Sequence, residues 1–431
     1  MPDGRDQDAI IYERRFLAWY GILLYVLQLG SRRQLDFHLD TDASYVLANL
    51  NHLANTEQRS RPVHDTLDYF LGKSRASAIA DVRTQMNRRL IRMKVLDDAR
   101  LLGHLVVAVD GTGWLCFRER HCDHCLVQRH EHYTLYMHQI LEAKVLGPEG
   151  LALSMGSVFI ENADAPTTEM AAEAFKQDCE LNAFSRLAPQ LKRDFPQLRL
   201  CLAGDSLYAC GRMFQIAKDN HWSYVLTFKE KHMPAVWREF QTLLKLTPEN
   251  AHALTLQRGT QTVHQEYGWV NGLSYQDDQN RTHTFDAIQC RETVAGQTTT
   301  FAWVSEFSVN ADNVVHIANQ GGRARWQIEN QGFNRQKNSG LNLGHVFSMD
   351  PEKSKAYYYL LQIAHILLLL LEHGKFLRQR AAEYGKTPVQ WFGSLKNIGQ
   401  FLLDSIRNWL WPEQEPVRLT ATNAVPVMDS S

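Results

Sequence analysis

Carboxylates carry the first chemical signal in this chain. In VVAVDGTGW (106–114) an apolar run leads straight into Asp110 and a glycine. A β-branched run followed by Asp-Gly reads as a strand meeting a tight turn, and an aspartate that merely caps the turn is one account of it. The other is a carboxylate held rigidly at a strand end to bind a metal ion. LRLCLAGDSLY (198–208) repeats the pattern, with Asp205 after Gly204. Adjacent strands of one sheet would bring Asp110 and Asp205 within reach of a shared ion. RARWQIENQGFNRQKNSG (323–340) supplies a third candidate, Glu329. Arg325 and Glu329 are four residues apart on one helical face, Phe333 continues that face, and Lys337 lies eight residues beyond Glu329. On its own this stretch also reads as a surface helix with an Arg–Glu pair.

A softer set of donors follows the first aspartate in FRERHCDHCLVQRHEHYTLYMHQ (117–139). Cys122 and Cys125 have the spacing that lets two sulfurs reach one zinc ion, and His130 lies five residues on. The alternatives are two free thiols on a hairpin or a redox pair. A zinc here would pin a strand–turn–strand and take no part in the chemistry.

The elements that must position these residues fall into blocks. Residues 1–100 read as short helices, with apolar positions at helical spacing in 11–29 and helix starts at Asp65 and Ser74. From Arg59 to Arg100 ten Lys/Arg stand against five Asp/Glu, a net of +5, including Arg88, Arg89 and Arg92. Such a patch suits a DNA-binding region, although a solvated basic face explains any one arginine equally well. Residues 101–230 alternate strands with helices, which predicts a mixed α/β sheet. Within it, 167–191 reads as one long amphipathic helix. Residues 231–305 are rich in Thr, Gln, Tyr and Trp, with turn signals at Asn271-Gly272 and 277–280, and read as an all-β insertion. The α/β character returns over 306–380, and 381–431 reads as a C-terminal tail, irregular beyond Pro412.

Bulk properties narrow the class. At 431 residues the chain is expected to hold roughly two or three domains. Lys+Arg number 46 against Asp+Glu 47, so any nucleic-acid footprint must be local rather than global. Seven cysteines without a visible secretory signal fit a reducing cytosol better than a disulfide framework. The apolar runs 16–30 and 356–374 are short for membrane spans, and the second contains Gln362 and His365, so both read as buried core helices. No membrane partner is expected.

Taken together, two strand-end aspartates, a β-rich insertion and a helical glutamate flanked by Arg and Lys resemble the DDE transposases of bacterial insertion sequences. The resemblance spans roughly 104–375 and is carried by VVAVDGTG, CLAGDSLY and, most strongly, RWQIENQGFNRQKNSGLNLGHVF. It is to the cut-and-paste type with an RNase H-like core. It implies an α/β fold: an RNase H-like mixed-sheet core, an N-terminal helical DNA-binding domain and an all-β insertion. It further implies a metal triad of Asp110, Asp205 and Glu329 holding two Mg²⁺ (or Mn²⁺) ions, which would cleave double-stranded DNA at transposon ends and drive strand transfer. Arg325 and Lys337, with Arg88, Arg89 and Arg92, would contact the DNA backbone. Trp269 and Trp303 of the insertion would be candidates for stacking on a flipped base. The chain would act as a homodimer on DNA, in the cytoplasm and associated with the nucleoid when bound.

The sequence departs from the family's pattern in two places. Gly322 holds the position of a Tyr three residues before Arg325, and Gln336 stands where a Lys is usual, with Lys337 one residue late. A subfamily of these enzymes shares the His-Cys-x-x-Cys element together with His138 and the QDCE of 177–180, which implies Cys179 as a fourth zinc ligand. An RNase H-like nuclease or resolvase, or a domesticated DNA-binding protein without activity, is the competing expectation.

Overall fold

The computed structural model describes residues 3–6, 8, 10–40, 45–162 and 177–411. Five helices come first: α1 (Arg14–Val26), α2 (Arg32–Leu39), α3 (Tyr45–Ala54), α4 (His64–Lys73) and α5 (Ala76–Arg92). Ser31 caps α2 by accepting from the Gln34 amide. Ser74, expected to start a helix, instead donates its hydroxyl to the Phe70 carbonyl and closes α4; Asp65 sits inside the first turn of α4.

The strands are β1 (Arg100–Leu101), β2 (His104–Phe117), β3 (Leu126–Arg129), β4 (Thr134–Leu146), β5 (Ala152–Ile160), β6 (Leu200–Gly204), β7 (Ser223–Thr227), β8 (Ala251–Arg258), β9 (Gln261–Gln276), β10 (Thr282–Val294) and β11 (Gln297–Ser305). Among them run α6 (Glu180–Asp194), α7 (Gly211–Asn220) and α8 (Pro234–Leu246). The eleven strands among the described residues join one mixed sheet, ordered β3-β4-β2-β6-β7-β11-β10-β9-β8, with β1 on β2 and β5 on β4. β2, β6 and β7 are mutually parallel, and the remaining pairings are antiparallel.

Alternation along β2 sends its residues to two cores. Val107 and Val109 face Phe184, Leu187 and Leu191 of α6 and Phe214 of α7. Val106 and Ala108 face Ile317, Ile328 and Phe333 of an irregular helical run, α9 (314–338). A third core packs α1 and α4 against the long helix α10 (Pro351–His373) and against α13 (Leu395–Asn408), the last helix among the described residues. Asp350 caps α10, with Pro351 at its first position. Between α10 and α13 lie α11 (Lys375–Ala382) and α12 (Pro388–Phe392).

Three expectations are corrected here. The block 231–305 is not purely β, because α8 opens it, and it is not a separate sheet. β11 pairs antiparallel with β7 (Trp303↔Thr227, Val304↔Leu226), so its strands extend the central sheet and cover the open edge of β7. Residues 381–411, read as part of a C-terminal tail, pack onto the N-terminal helices: Asn49 of α3 donates to the Ile406 and Trp409 carbonyls and accepts from the Trp411 amide, while the stretch expected to be irregular, beyond Pro412, lies outside the described residues. The helix expected over 167–191 begins at Glu180, and 167–176 lies outside the described residues.

By length and composition α10 is the one helix among the described residues apolar enough to cross a membrane. Of its most apolar stretch 78% is buried inside the fold, which makes it a core helix here.

Candidate functional site

Strand register explains how two distant aspartates meet. Ala108 of β2 pairs with Ala203 of the parallel β6, after which β6 ends at Gly204. Two residues further along each chain stand Asp110 and Asp205, so they flank one another where the β6 ladder stops. The aspartate-glycine turn expected after Val109 does not form; β2 runs on through Asp110 to Phe117, paired with β4. The strand that ends here is β6, and its ending opens the side of Asp110. The Asp205 carboxylate accepts from the Leu207 amide, which fixes the bend into α7.

Glu329 approaches from α9 across the same sheet face. Arg325, one turn earlier, places its Nη1 2.8 Å from Glu329 Oε1 and 3.6 Å from Asp110 Oδ2. Arg325 is 8% exposed, so here it is a buried counter-charge between two carboxylates. The three carboxylates face one region without closing to within 4.8 Å of one another, the spacing at which one ion could take an oxygen from each. Burial pushes Asp110 up to about 7; Arg325 pulls it down, while Glu180, Glu329 and Asp205 push it further up.

Glu180 is the residue that sequence reasoning missed. It opens α6, packs so closely on Gly111 that a Cβ there would run into its carboxyl, and accepts from the Tyr208 hydroxyl at 3.0 Å. Burial raises its pKa, and the Asp205 charge adds to the rise. The signal the sequence offers for it is a glutamate in the first turn of the helix that leads into β6, next to Cys179.

The π turns of α9 account for the shifted lysine. Residues 317–322 and 328–333 each form a turn closed by i→i+5 bonds, which holds one residue more than an α turn. The eighth residue after Glu329 therefore comes round where the seventh would stand in a regular helix. Lys337 is exposed, while Gln336 is fully buried and donates to Gln362 and toward His365 Nδ1. At Gly322, in place of the usual Tyr, a Cβ would collide with the Trp303 indole. Gly322→Ala is accordingly expected to lower thermal stability by about 2 kcal/mol or more through overpacking, measured by denaturant unfolding; wild-type stability would mean the indole moves freely.

Behind Asp110 lies a closed polar network. Glu142, its cross-strand partner on β4, is fully buried. Lys144 Nζ is 3.1 Å from Glu142, and Arg83, Ser157 and Tyr358 complete its surroundings. Burial alone would raise the Glu142 pKa, but Lys144 and Arg83, helped by the two hydroxyls, hold it below the usual range. Lys144 reaches on to Gln362, which bonds Gln336, so the network braces α9 from behind.

The remaining candidates divide. Arg88, Arg89 and Arg92 are exposed on α5. Arg88 bonds the Asp194 carbonyl at the C-terminal end of α6, about 20 Å along that helix from Glu180, so this patch lies away from the carboxylates. Trp269 is 4% exposed inside the sheet core, and Trp303 is equally enclosed, so neither presents a face to a base.

The softer donors are rearranged too. Cys122 and Cys125 are grouped with His121 and His138, and these four could hold a metal ion. His130 is exposed and stacks on Tyr133 with ring centroids 4.4 Å apart. Cys179 is exposed at the start of α6. Neither joins the group. The reason is topological: the 130–133 turn points away, whereas β4 runs back past the loop and delivers His138. No family model matches this sequence, and no curated protein matches it either.

Proposed function

We propose that this chain is a DDE-type transposase, a metal-dependent enzyme that cleaves DNA at transposon ends and joins them to target DNA. The observation that carries the reading is the register of β2 against β6, which sets Asp110 beside Asp205, with Glu329 facing them across Arg325. A mixed sheet with helices on both faces supports the RNase H-like core of that reading.

The donors are hard carboxylate oxygens, which fit Mg²⁺ or Mn²⁺. Bound there, two such ions would activate the attacking water or 3′-OH and stabilise the leaving oxygen. Asp110, Asp205 and Glu329 are the residues that would hold them. Arg325 then has to leave its position between Asp110 and Glu329, and its guanidinium becomes available to a phosphate in the same cleft. Lys337, exposed two turns on, meets the backbone of the same strand. The exposed arginines of α5 offer DNA a second contact about 20 Å from the carboxylates. On this reading the protein works as a homodimer on DNA, in the cytoplasm and on the nucleoid.

The deciding assay incubates the protein and Mg²⁺ with DNA carrying any inverted repeats that bracket its gene, together with a target plasmid. Cleaved ends and joined products are expected. Cleavage without joining would make the protein a nuclease or resolvase, and binding without cleavage a DNA-binding protein that has lost its chemistry.

A further inference from the structure

The Cys/His group has the dimensions of a closed metal site. With zinc–sulfur bonds near 2.3 Å and zinc–nitrogen bonds of about 2.0–2.1 Å, a tetrahedron has edges of roughly 3.8 Å (S–S), 3.5 Å (S–N) and 3.3 Å (N–N). Cys122 Sγ lies 3.4 Å from Cys125 Sγ, and His138 Nε2 lies 3.3 Å and 3.6 Å from the two sulfurs. His121 Nε2 lies 3.2 Å from His138 Nε2 and 4.0 Å from Cys125 Sγ, the loosest of these edges. These edges are too long for a disulfide, whose sulfurs would sit about 2.05 Å apart.

A second observation is independent of the four donors. His138 turns its other nitrogen, Nδ1, to Glu161 Oε1 at 3.2 Å. A carboxylate there accepts the hydrogen bond of Nδ1–H and leaves the Nε2 lone pair facing the sulfurs, the arrangement that metal-bound histidines show. Glu161 in turn accepts from Lys355 Nζ of α10 at 2.8 Å. The loop also bonds the segment that leads to α6: Asn162 donates to the Cys125 carbonyl, and the Gln177 side chain pairs with the Val127 backbone.

We infer that His121, Cys122, Cys125 and His138 form a structural Zn²⁺ site, and that Glu161 and Lys355 orient it and tie it to α10. Four protein ligands leave no position for substrate, so the ion acts as a clip. It fastens the loop between β2 and β3 onto β4, beside the segment that leads to Glu180. The assignment does not depend on the transposase reading and stands even if no DNA is cleaved.

Purified full-length protein, prepared without chelator, is expected to contain about one zinc per chain by elemental analysis. Cys125→Ser and His138→Asn should lose it, while His130→Ala and Cys179→Ser keep it. Cobalt exchanged into the wild-type chain should show tetrahedral d–d absorption and a thiolate charge-transfer band, which requires no variant to fold. Glu161→Gln should retain the site but bind zinc about 10–100-fold more weakly in chelator competition. A zinc-free wild type that takes up none on refilling would overturn the site, as would a reversible Cys122–Cys125 disulfide in zinc-free protein or full zinc in Cys125→Ser. Unchanged affinity in Glu161→Gln would overturn the role of Glu161.

Discussion

Asp110→Asn is expected to bring metal-dependent DNA cleavage down by at least about 10³-fold while DNA binding changes by less than about twofold. On the proposed reading, binding would rest on exposed cations such as Lys337, whereas Asp110 would serve the site where charge has to be neutralised. The same substitution has a signature that needs no DNA. With its folded pKa raised to about 7, Asp110 stays protonated in the fold where the unfolded chain releases that proton. Its favourable contribution is complete below about pH 4 and is lost as the pH rises through about 7, on the order of 4 kcal/mol across the window. Wild-type stability should therefore fall relative to Asp110→Asn between those limits. Millimolar Mg²⁺ should restore it above pH 7 in the wild type alone. Parallel pH profiles for the two proteins, or equal stabilisation by Mg²⁺, would remove Asp110 from the metal site. Glu180→Gln tests the fourth carboxylate by the same cleavage assay, and a loss of more than about tenfold would bring it into the active constellation.

The second large effect concerns stability alone. Lys144→Met removes one of the two cations around Glu142, which is 1% exposed and has no route to solvent. Leaving a buried carboxylate under-compensated is expected to cost about 3–5 kcal/mol. Glu142→Gln should be similarly damaging, because it leaves Lys144 and Arg83 facing each other. The Glu142→Gln/Lys144→Met double variant removes both charges and should cost clearly less than the two single losses added. Denaturant unfolding of the four proteins measures the cycle; strict additivity would mean that the two groups do not sense each other.

Much of the candidate site is legible locally, as residue types and spacing. An apolar run broken by an aspartate, found twice, identified Asp110 and Asp205, because burial on a strand and a charge at its end are both written within a few residues. Helical spacing set Arg325 and Glu329 on one face, and Cys122 and Cys125 declared themselves by their separation. Several details were readable only as departures. The late lysine needed the π turns of α9, and the glycine at position 322 needed the Trp303 ring beside it.

Local chemistry is written along the chain: which residues alternate, which are charged within apolar runs and where helices start. Tertiary structure decided the partners, because those depend on which strands the sheet sets side by side. The antiparallel return of β4 delivers His138 to the cysteines and leaves His130 outside, though His130 is nearer in sequence. The pairing of β11 with β7 turns a β-rich insertion into a continuation of the sheet and encloses Trp269. Burial, which no spacing rule reports, turns Arg325 from a surface cation into the counter-charge of Asp110 and Glu329. A long-range contact is a property of two segments that must each satisfy their own hydrogen bonds and bury their own apolar faces, and only the complete fold reconciles them.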